Sequence, residues 1–486
     1  AFIKNIGVQR EERMFLSNAA NENYLCLANS TYNNSVDGMV TNYTLTESQR
    51  ALAIAISNTA GGDSTDAIVL DTFAGAVQDL ATNENYGIST SAIEYSDTIV
   101  PNILSATVDY DSGTIVLLVD ETVDCTPKSK VSPGLIRIVN ESNVSPYVSV
   151  PISGGEVVQF DSTSVTITMT ELQRSLAIAL SGTPGGDGGA VVLDADPNAL
   201  VDIAQNTIFQ TSAVTVTESP DFRHPNITAA ALQLGTGVLT LTADETLDVT
   251  PKDLVDLSKI WIENVTGDSK ISLAGAEINA VDALGVTIHL TEGQRVLAIE
   301  SSNTPGGDGG VTEIAVSIGF VQDIGTNLNM YRNGLIVSET PDTIRPTIQS
   351  IEIDFNEGLI NITSSETIDS TPTSKVNLSA LFIGHVLYSK EVPLFGADVT
   401  ISSDRASVYI QMTETQRANA LRISGVPGGD NSSVVLQGDA HAVRDIAGNT
   451  NPFLHGGLTA FEIADTSQPF AVSAEIFYGT GILKLT

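Results

Sequence analysis

Thr-Glu-Gly-Gln-Arg, at residues 291–295, is one of four copies of a motif that organises this chain of 486 residues. The motif has the form Thr-Glu-x-Gln-Arg, and its copies occupy residues 46–50, 170–174, 291–295 and 413–417. A Gly-Gly-Asp sequence follows each copy at a constant distance and ends at Asp63, Asp187, Asp308 and Asp430. A spacing of about 120 residues is too long for a solenoid repeat and suits one small domain. The sequence therefore predicts a tandem array of similar domains.

Strand-forming residues dominate each repeat. Val, Ile, Thr and Leu alternate with small polar residues, and Gly, Asn, Asp and Pro mark turns at intervals of roughly 8 to 15 residues. This pattern predicts an all-β fold of tandem immunoglobulin-like β-sandwiches, each with about seven to nine short strands. In the motif, Thr followed three residues later by Gln predicts a capping box and one helical turn. We expect a strand at residues 296–300 after it, and then a hairpin turn at Gly-Gly-Asp.

The repeats divide the chain into five segments. We expect an incomplete domain at residues 1–97, complete domains at residues 98–221, 222–342 and 343–465, and a tail at residues 466–486. Short linkers of the form Asp-x-x-x-Pro separate them, so the acidic domains are expected to form a rod. The first domain starts at its third strand, because residues 1–6 align with residues 260–265.

The tail contains what the first domain lacks. From Pro469 through its Gly-Thr-Gly turn it repeats the first hairpin of a complete domain, which starts at Pro225 in the third repeat. We therefore predict that the tail completes the first domain of the next subunit and propagates a head-to-tail fibre. The residues expected to make this contact are Ala474, Ile476, Tyr478, Ile482 and Leu485. The alternative is one longer polypeptide in which the same strands are covalently continuous.

The repeats resemble the immunoglobulin-like repeats of microbial surface proteins. The resemblance rests on Pro-x-Ile near the start, (Ser/Asp)-Glu-x-(Leu/Ile/Val)-Asp after the second strand, and Asp-(Ile/Leu)-Ala-(Gly/x)-Asn near the end. The fourth repeat matches best, with Ser365-Glu366 to Asp369 and Asp445-Ile446-Ala447-Gly448-Asn449. The resemblance implies an extracellular β-sandwich used as a stalk, adhesin segment or fibre subunit, without enzymatic activity or a particular ligand. The Thr-Glu-x-Gln-Arg and Gly-Gly-Asp motifs are not part of it.

The net charge of −36 disfavours nucleic acid as a partner, since phosphates would be repelled, and favours divalent cations. A calcium site is predicted at Asp194, Asp196, Asn198 and Asp202, because these residues offer hard oxygen ligands. The alternative is that Asp-Ile-x-x-Asn forms a turn in which Asp and Asn cap backbone N–H groups. Each recurring arginine is expected to pair with a carboxylate of its own domain. No apolar run reaches the roughly 18 residues of a membrane span.

Two cysteines are present, and no Cys/His spacing is typical of a metal site. The predicted course of the strands brings Cys26 and Cys125 to the junction of the first two domains, which predicts one disulfide. The alternative is two free thiols. Ten sequons fall mostly in predicted loops and strand edges, and we expect N-linked glycans there. These asparagines are Asn29, Asn33, Asn42, Asn140, Asn143, Asn226, Asn264, Asn361, Asn377 and Asn431.

The sequence thus predicts an extracellular, glycosylated structural subunit that polymerises with copies of itself, without a cofactor unless calcium is bound. Enzymatic activity is not expected, because the acidic residues recur in every repeat instead of forming one pair beside a cleft. One alternative is a stalk segment of a large surface adhesin. Another is a calcium- or carbohydrate-binding surface module, although an aromatic content of 5% offers no evident platform for a sugar.

Overall fold

The structure is a computed structural model that describes residues 10–18, 24–32, 37–63, 67–140, 148–265, 269–385, 389–400 and 403–486. It confirms the predicted all-β fold. The chain packs as two compact units. One comprises residues up to 225 together with 245–248 and 322–328, and the other comprises residues 226–244, 249–321 and 329–486. In the described part, none of the helices is long and apolar enough to cross a membrane.

The same order of elements recurs from repeat to repeat. Repeat 1 contains β1 Met14–Ser17, β2 Tyr24–Cys26, β3 Thr31–Tyr32, β4 Tyr43–Thr44, α1 Glu47–Ala55, β5 Val69–Thr72 and β6 Ile88–Ser91. Repeat 2 contains β7 Ile103–Asp109, β8 Thr114–Val123, β9 Ile136–Asn140, β10 Ser149–Pro151, β11 Glu156–Val157, β12 Ser162–Thr168, α2 Glu171–Ala179, β13 Val191–Ala195 and β14 Thr211–Ser219.

Repeat 3 contains β15 Ile227–Gln233, β16 Val238–Asp248, β17 Ile260–Asn264, β18 Lys270–Ser272, β19 Glu277–Ile278, β20 Ala283–His289, α3 Glu292–Glu300, β21 Thr312–Val316, β22 Gln322–Asp323 and β23 Arg332–Thr340. Repeat 4 contains β24 Ile348–Asp354, β25 Leu359–Ile368, β26 Leu381–Gly384, β27 Val392–Pro393, β28 Asp398–Val399, β29 Arg405–Gln411, α4 Glu414–Arg422, β30 Val435–Gly438, β31 Leu458–Thr459 and β32 Phe461–Ile463. The tail contains β33 Ala474–Phe477 and β34 Ile482–Leu485.

Repeat 2 shows the topology of a complete repeat. Its eight strands follow the order β10-β9-β13-β14-β7-β8-β12-β11. β14 joins two sheets, because its first half pairs antiparallel with β13 and its second half pairs parallel with β7. Side chains from both sheets, such as Ile115, Leu117 and Leu193, are fully buried between them. The first and last strands of a complete repeat are therefore neighbours.

The Thr-Glu-x-Gln-Arg motif begins a full helix. In α3, Thr291 Oγ1 accepts a hydrogen bond from the Gln294 N–H at 3.3 Å, and Gln294 Oε1 accepts one from the Thr291 N–H at 2.9 Å. This is the predicted capping box. The helix then continues for nine residues, so the strand predicted at residues 296–300 is wrong. Arg295 and Ile299 are both buried, and residues four apart share one helix face, which explains the outcome.

The Gly-Gly-Asp sequences are not hairpin turns as predicted. Each connects the helix of its repeat to the following strand, and in repeat 3 the Asp308 N–H donates to the Glu300 carbonyl at 2.9 Å. The second glycine lies directly against the helix end. At Gly307 a Cβ atom would lie 2.1 Å from the carbonyl oxygen of Ser302, so no larger residue fits there.

Among its described residues, repeat 1 has the outer strands of this topology but not the two middle ones. Its described strands form two sheets, β2-β1-β5-β6 and β3-β4. They correspond to β10-β9-β13-β14 and β11-β12 of repeat 2. Residues 1–6, predicted to be the third strand, lie outside the described residues. β1 takes the place of the third strand instead, because it pairs with β5 as β17 pairs with β21.

The core of repeat 1 is correspondingly open. Leu16 and Leu70 face each other across β1 and β5, and both remain partly exposed. Their counterparts in repeat 2, Ile138 and Leu193, are fully buried. Repeat 1 thus exposes apolar side chains at positions that a complete repeat covers with its first hairpin.

Candidate functional site

The tail forms a hairpin of its own. β33 and β34 pair with each other and with no other strand of the described chain. Gly481 in its turn has a φ of 69°, and Gly113 at the same position of repeat 2 has a φ of 68°. Counted from the prolines that precede them, Pro469 and Pro101, β33 corresponds to β7 and β34 to β8. The tail therefore reproduces the first hairpin of a complete repeat, which is not among the described strands of repeat 1.

This hairpin exposes apolar residues that a complete repeat buries. Ile476, Tyr478, Leu483 and Leu485 are between 53% and 87% exposed. Their counterparts in repeat 2 are all 0% exposed, and they are Val108, Tyr110, Ile115 and Leu117. Ala474 is exposed as well, at the position of the buried Ala106. One face of the tail hairpin thus carries the apolar side chains of a β-sandwich core but is exposed.

The predicted assembly residues require one correction. Ile482 corresponds to Thr114 of repeat 2, which is only half-buried. Leu483 corresponds to Ile115, which is fully buried. Successive side chains of a strand point to opposite faces, so Leu483 and not Ile482 lies on the same face as Leu485.

The recurring motifs meet where one repeat joins the next. At the junction of repeats 3 and 4, Arg295 binds Glu292 of its own helix through Nε and Nη2, both at 2.8 Å. Its Nη1 donates to Asp342 of the linker at 2.8 Å, and Nη2 donates to Glu366 of repeat 4 at 3.0 Å. The predicted pairing with a local carboxylate is confirmed. The pairing with the following repeat was not predicted.

Two further motifs enter the same junction. Glu292 Oε1 accepts from the Thr367 N–H of repeat 4 at 2.8 Å. Asp445 Oδ1 accepts from the Asn449 N–H at 2.8 Å, which confirms that Asp-Ile-x-x-Asn is a turn with a capping aspartate. The Asn449 amide also donates to the Asp342 carbonyl at 3.1 Å, so this turn is attached to the linker.

The other junctions repeat the arrangement. The arginine partners are Glu47, Asp97 and Glu121 for Arg50, and Glu171, Asp221 and Glu245 for Arg174. The side chain of Arg174 is 7% exposed, whereas that of Arg50 is 31% exposed. Arg174 donates to the carbonyl of Tyr110 in the first hairpin of repeat 2 at 3.1 Å. Arg50 is more exposed because no such hairpin covers it in the described part of repeat 1.

The first glycine of each Gly-Gly-Asp sequence also belongs to the junction. Gly306 has a φ of 92°, and a Cβ there would lie 2.3 Å from the carbonyl oxygen of Ile446 in repeat 4. At Gly61 and Gly185 the corresponding distances to the next repeat are 1.8 and 1.7 Å. At Gly428 of repeat 4, only a side chain lies within 4 Å of that point. The glycine is thus required where two repeats touch.

Three carboxylates gather at each junction. One oxygen of each lies within 4.8 Å of the others in the groups Asp97, Glu121, Asp202; Asp221, Glu245, Asp323; and Asp342, Glu366, Asp445. Burial raises the pKa of Glu245 and of Glu366 to about 7, and that of Asp323 to about 6. An ionised carboxylate is disfavoured away from water, and the neighbouring acids add repulsion.

The predicted calcium ligands are not brought together. Asp194 accepts from the backbone N–H of residue 213 at 2.8 Å, and Asp196 forms an ion pair with Arg137. Asn198 adopts a φ of 69° in a turn. Asp202 belongs to the carboxylate group at the first junction. The Asp-x-Asp-x-Asn spacing suggested one loop, but these side chains are used in separate local contacts.

The predicted disulfide between Cys26 and Cys125 is not formed, and both thiols are free. Cys125 is fully buried in the core of repeat 2, where burial raises the pKa of its thiol to about 12. Cys26 lies in β2 with its Sγ 3.9 Å from the carbonyl oxygen of Glu12. The prediction failed because the Cys125 side chain belongs to the core and not to the junction surface.

The sequons differ in accessibility. Asn33 and Asn143 lie outside the described residues. The exposed acceptors are Asn29, Asn42, Asn377 and Asn431, and the half-buried ones are Asn226 and Asn361. Asn140 and Asn264 are each 3% exposed, within strands, which leaves no space for a glycan on the folded chain. The prediction is wrong for these two.

No family model matches this chain, and no curated protein matches it. Among solved structures it is similar to the N-terminal part of the bacterial S-layer protein SbsC, at 10% identity and a TM-score of 0.19, covering 49% of this chain and 44% of that one. It is also similar to the eight N-terminal Ig domains of Down Syndrome Cell Adhesion Molecule, at 9% identity and a TM-score of 0.14, covering 95% and 47% of the two chains. Function is therefore inferred from this chain's own residues.

Proposed function

We propose that this chain is the structural subunit of an extracellular, N-glycosylated fibre, in which the tail hairpin of one copy completes repeat 1 of the next. One observation carries the proposal. The eight-strand order of repeat 2 becomes the two separate sheets of repeat 1 when its middle strands β7 and β8 are removed, and the tail is a two-stranded hairpin with the same turn. The extracellular location is supported by the exposed sequons.

The complete repeats define the expected register. In repeat 2, Val216 of the last strand lies opposite Ala106 of the first strand in a parallel pair. The same positions are Ala92 in repeat 1 and Ala474 in the tail. β33 then pairs in parallel with residues 92–95. β34 pairs antiparallel with residues 41–44, which include β4, as residues 114–117 pair with residues 165–168 in repeat 2.

Polar contacts of repeat 2 have counterparts in this register. The hydroxyl of Tyr110 donates to Glu218 at 2.8 Å. Tyr478 and Glu94 occupy the same two positions in the tail and in repeat 1. In repeat 2, Arg174 donates to the backbone carbonyl of Tyr110. In this register the backbone carbonyl of Tyr478 takes that position beside Arg50, the counterpart of Arg174. Docking would therefore satisfy both a hydroxyl and a guanidinium.

Docking would bury the four exposed apolar side chains of the tail. At roughly 1.5 to 3 kcal/mol each, their burial supplies about 6 to 12 kcal/mol before the cost of ordering the hairpin. The contact joins two different surfaces of the same chain. Such a contact propagates as an open filament unless its geometry closes a ring.

The test compares the full chain with a variant that lacks residues 466–486. We expect the full chain to form fibres by electron microscopy and the truncated chain to stay monomeric in size-exclusion chromatography. A synthetic peptide of residues 466–486 should bind the truncated chain with one site, and a peptide carrying Ile476→Asp and Leu483→Asp should not. Fibres of normal length from the truncated chain would refute the proposal.

The stalk of a large adhesin is distinguished by mass. A discrete subunit has a deglycosylated mass near 51.0 kDa, whereas a stalk segment belongs to a much longer polypeptide. Intact-mass measurement of the native material therefore decides between them. In a longer polypeptide, strands of the same chain would complete repeat 1.

A further inference from the structure

The carboxylate groups at the junctions are not equally neutralised. In the group with Asp221 and Asp323, Glu245 is fully buried and both of its oxygens face a cation. Its Oε2 accepts from Arg174 at 2.9 Å, and its Oε1 lies 2.8 Å from Nε of Arg223. Two guanidinium groups thus contact this buried glutamate.

The equivalent glutamate at the junction of repeats 3 and 4 has only one. Glu366 is 6% exposed, and its Oε2 accepts from Arg295 at 3.0 Å. Its Oε1 is buried without a hydrogen-bond partner, as Oε1 of Glu245 is, but no second arginine forms an ion pair with Glu366 among the described residues. Arg223 lies two residues after the linker aspartate of its junction, and the residue at the equivalent position of this junction is Ile344. A buried, ionised carboxylate oxygen without a partner is costly, so a bound ligand would stabilise the ionised form of Glu366.

The charges at this junction point to a cation as that ligand. Glu292, Asp342, Glu366 and Asp445 supply four carboxylates, and Arg295 is the one basic residue that forms ion pairs with them among the described residues. Since oxygens of Asp342, Glu366 and Asp445 lie within 4.8 Å of each other, one ion could contact all three.

We infer that Asp342, Glu366 and Asp445 form a binding site for a hard divalent cation of the calcium class. Calcium takes oxygen ligands in flexible geometry and accepts an irregular set of carboxylates completed by water, whereas magnesium requires a near-ideal octahedron. The expected dissociation constant is about 10⁻⁴ to 10⁻³ M, the range of extracellular modules. The ion would join the linker to two segments of repeat 4. The inference does not depend on fibre assembly.

The chain offers a matched pair of variants. Ile344→Arg introduces at this junction an arginine equivalent to Arg223, which pairs with Glu245 at the preceding junction. This variant should bind one calcium ion fewer per chain. Arg223→Ile uncovers Oε1 of Glu245, and it should add one. Both are measured on the full chain by isothermal titration with calcium chloride at pH 7.5. Glu366→Gln serves as a third variant and should also lose one site.

Folding is controlled by circular dichroism and by the melting temperature in EDTA, which Ile344→Arg should leave nearly unchanged. Calcium should raise the melting temperature of the wild-type chain more than that of Ile344→Arg. Equal calcium stoichiometry in these two proteins, or no binding by the wild-type chain at 10-fold above the expected dissociation constant (about 10⁻² M), would overturn the inference. Magnesium binding as tight as calcium binding would overturn the assignment to the calcium class.

Discussion

Leu483 and Ile482 are adjacent in the tail, and replacing each with alanine is expected to weaken docking to very different extents. Leu483 occupies a position that is 0% exposed in repeat 2, so Leu483→Ala removes a side chain that docking buries fully. Such a change costs about 2 to 5 kcal/mol, which weakens binding of the hairpin roughly 30-fold to several thousand-fold. Ile482 occupies a half-buried position, so Ile482→Ala should cost about 1 kcal/mol, or roughly fivefold.

The assay is fluorescence anisotropy of labelled peptides of residues 466–486, titrated with the chain truncated before them. Both variant peptides differ from the parent by one apolar side chain, so general hydrophobicity is matched. A larger loss for Ile482→Ala than for Leu483→Ala would show that the strand register is shifted by one residue. Unchanged binding by both variants would show that this face of the hairpin does not enter a core.

Three further predictions concern single residues. Burial raises the pKa of Glu366 to about 7 from an ordinary 4.5, so the folded state binds this proton more tightly than the unfolded state does. The resulting contribution to the free energy of unfolding is complete below pH 4.5 and is lost as the pH rises through 7. The loss is on the order of 3 kcal/mol in urea denaturation with EDTA, and Glu366→Gln should remove that pH dependence; an identical profile in the variant would contradict it. Gly306→Ala and Gly428→Ala both place a side chain at positive φ, but only the Cβ at residue 306 overlaps the carbonyl of Ile446. Gly306→Ala should therefore lower the free energy of unfolding by about 2 kcal/mol more than Gly428→Ala does. Equal melting temperatures of the two variants would exclude the contact. The Cys125 thiol should stay unlabelled in the native chain and react after denaturation, and rapid native labelling would contradict its burial.

The strands could be predicted from the sequence because alternation of apolar and polar residues is a local property. The continuation of the helix beyond its predicted first turn was missed for the same reason. Residues 296–299 are Val-Leu-Ala-Ile, which form a strand as readily as a helix in isolation, and the burial of Arg295 and Ile299 on one face favours the helix. Local propensity thus indicates where a strand or helix lies, but it does not fix the residues at which that element begins and ends.

The junction left a signal that sequence analysis could have used. The arginine is followed by the linker aspartate after 47 residues in three repeats and 48 in the fourth, and by the glutamate of the next repeat after 71 residues in each of three. Separations that stay constant across a linker indicate residues held in contact. The unpartnered oxygen of Glu366 could not be predicted, because it depends on which side chain covers the group in three dimensions.

The parallel pairing of the first and last strands has a mechanical consequence. In repeat 2, β7 and β14 run side by side in one direction, from Ala106 opposite Val216 to Asp109 opposite Ser219. Tension along the chain enters a repeat before its first strand and leaves after its last strand, so it pulls these two strands past each other. Their hydrogen bonds are then loaded together in shear, and do not open one at a time as when a hairpin is peeled from one end. A tail docked in the same register would place the link between two subunits under the same shear loading as the first strand of a complete repeat.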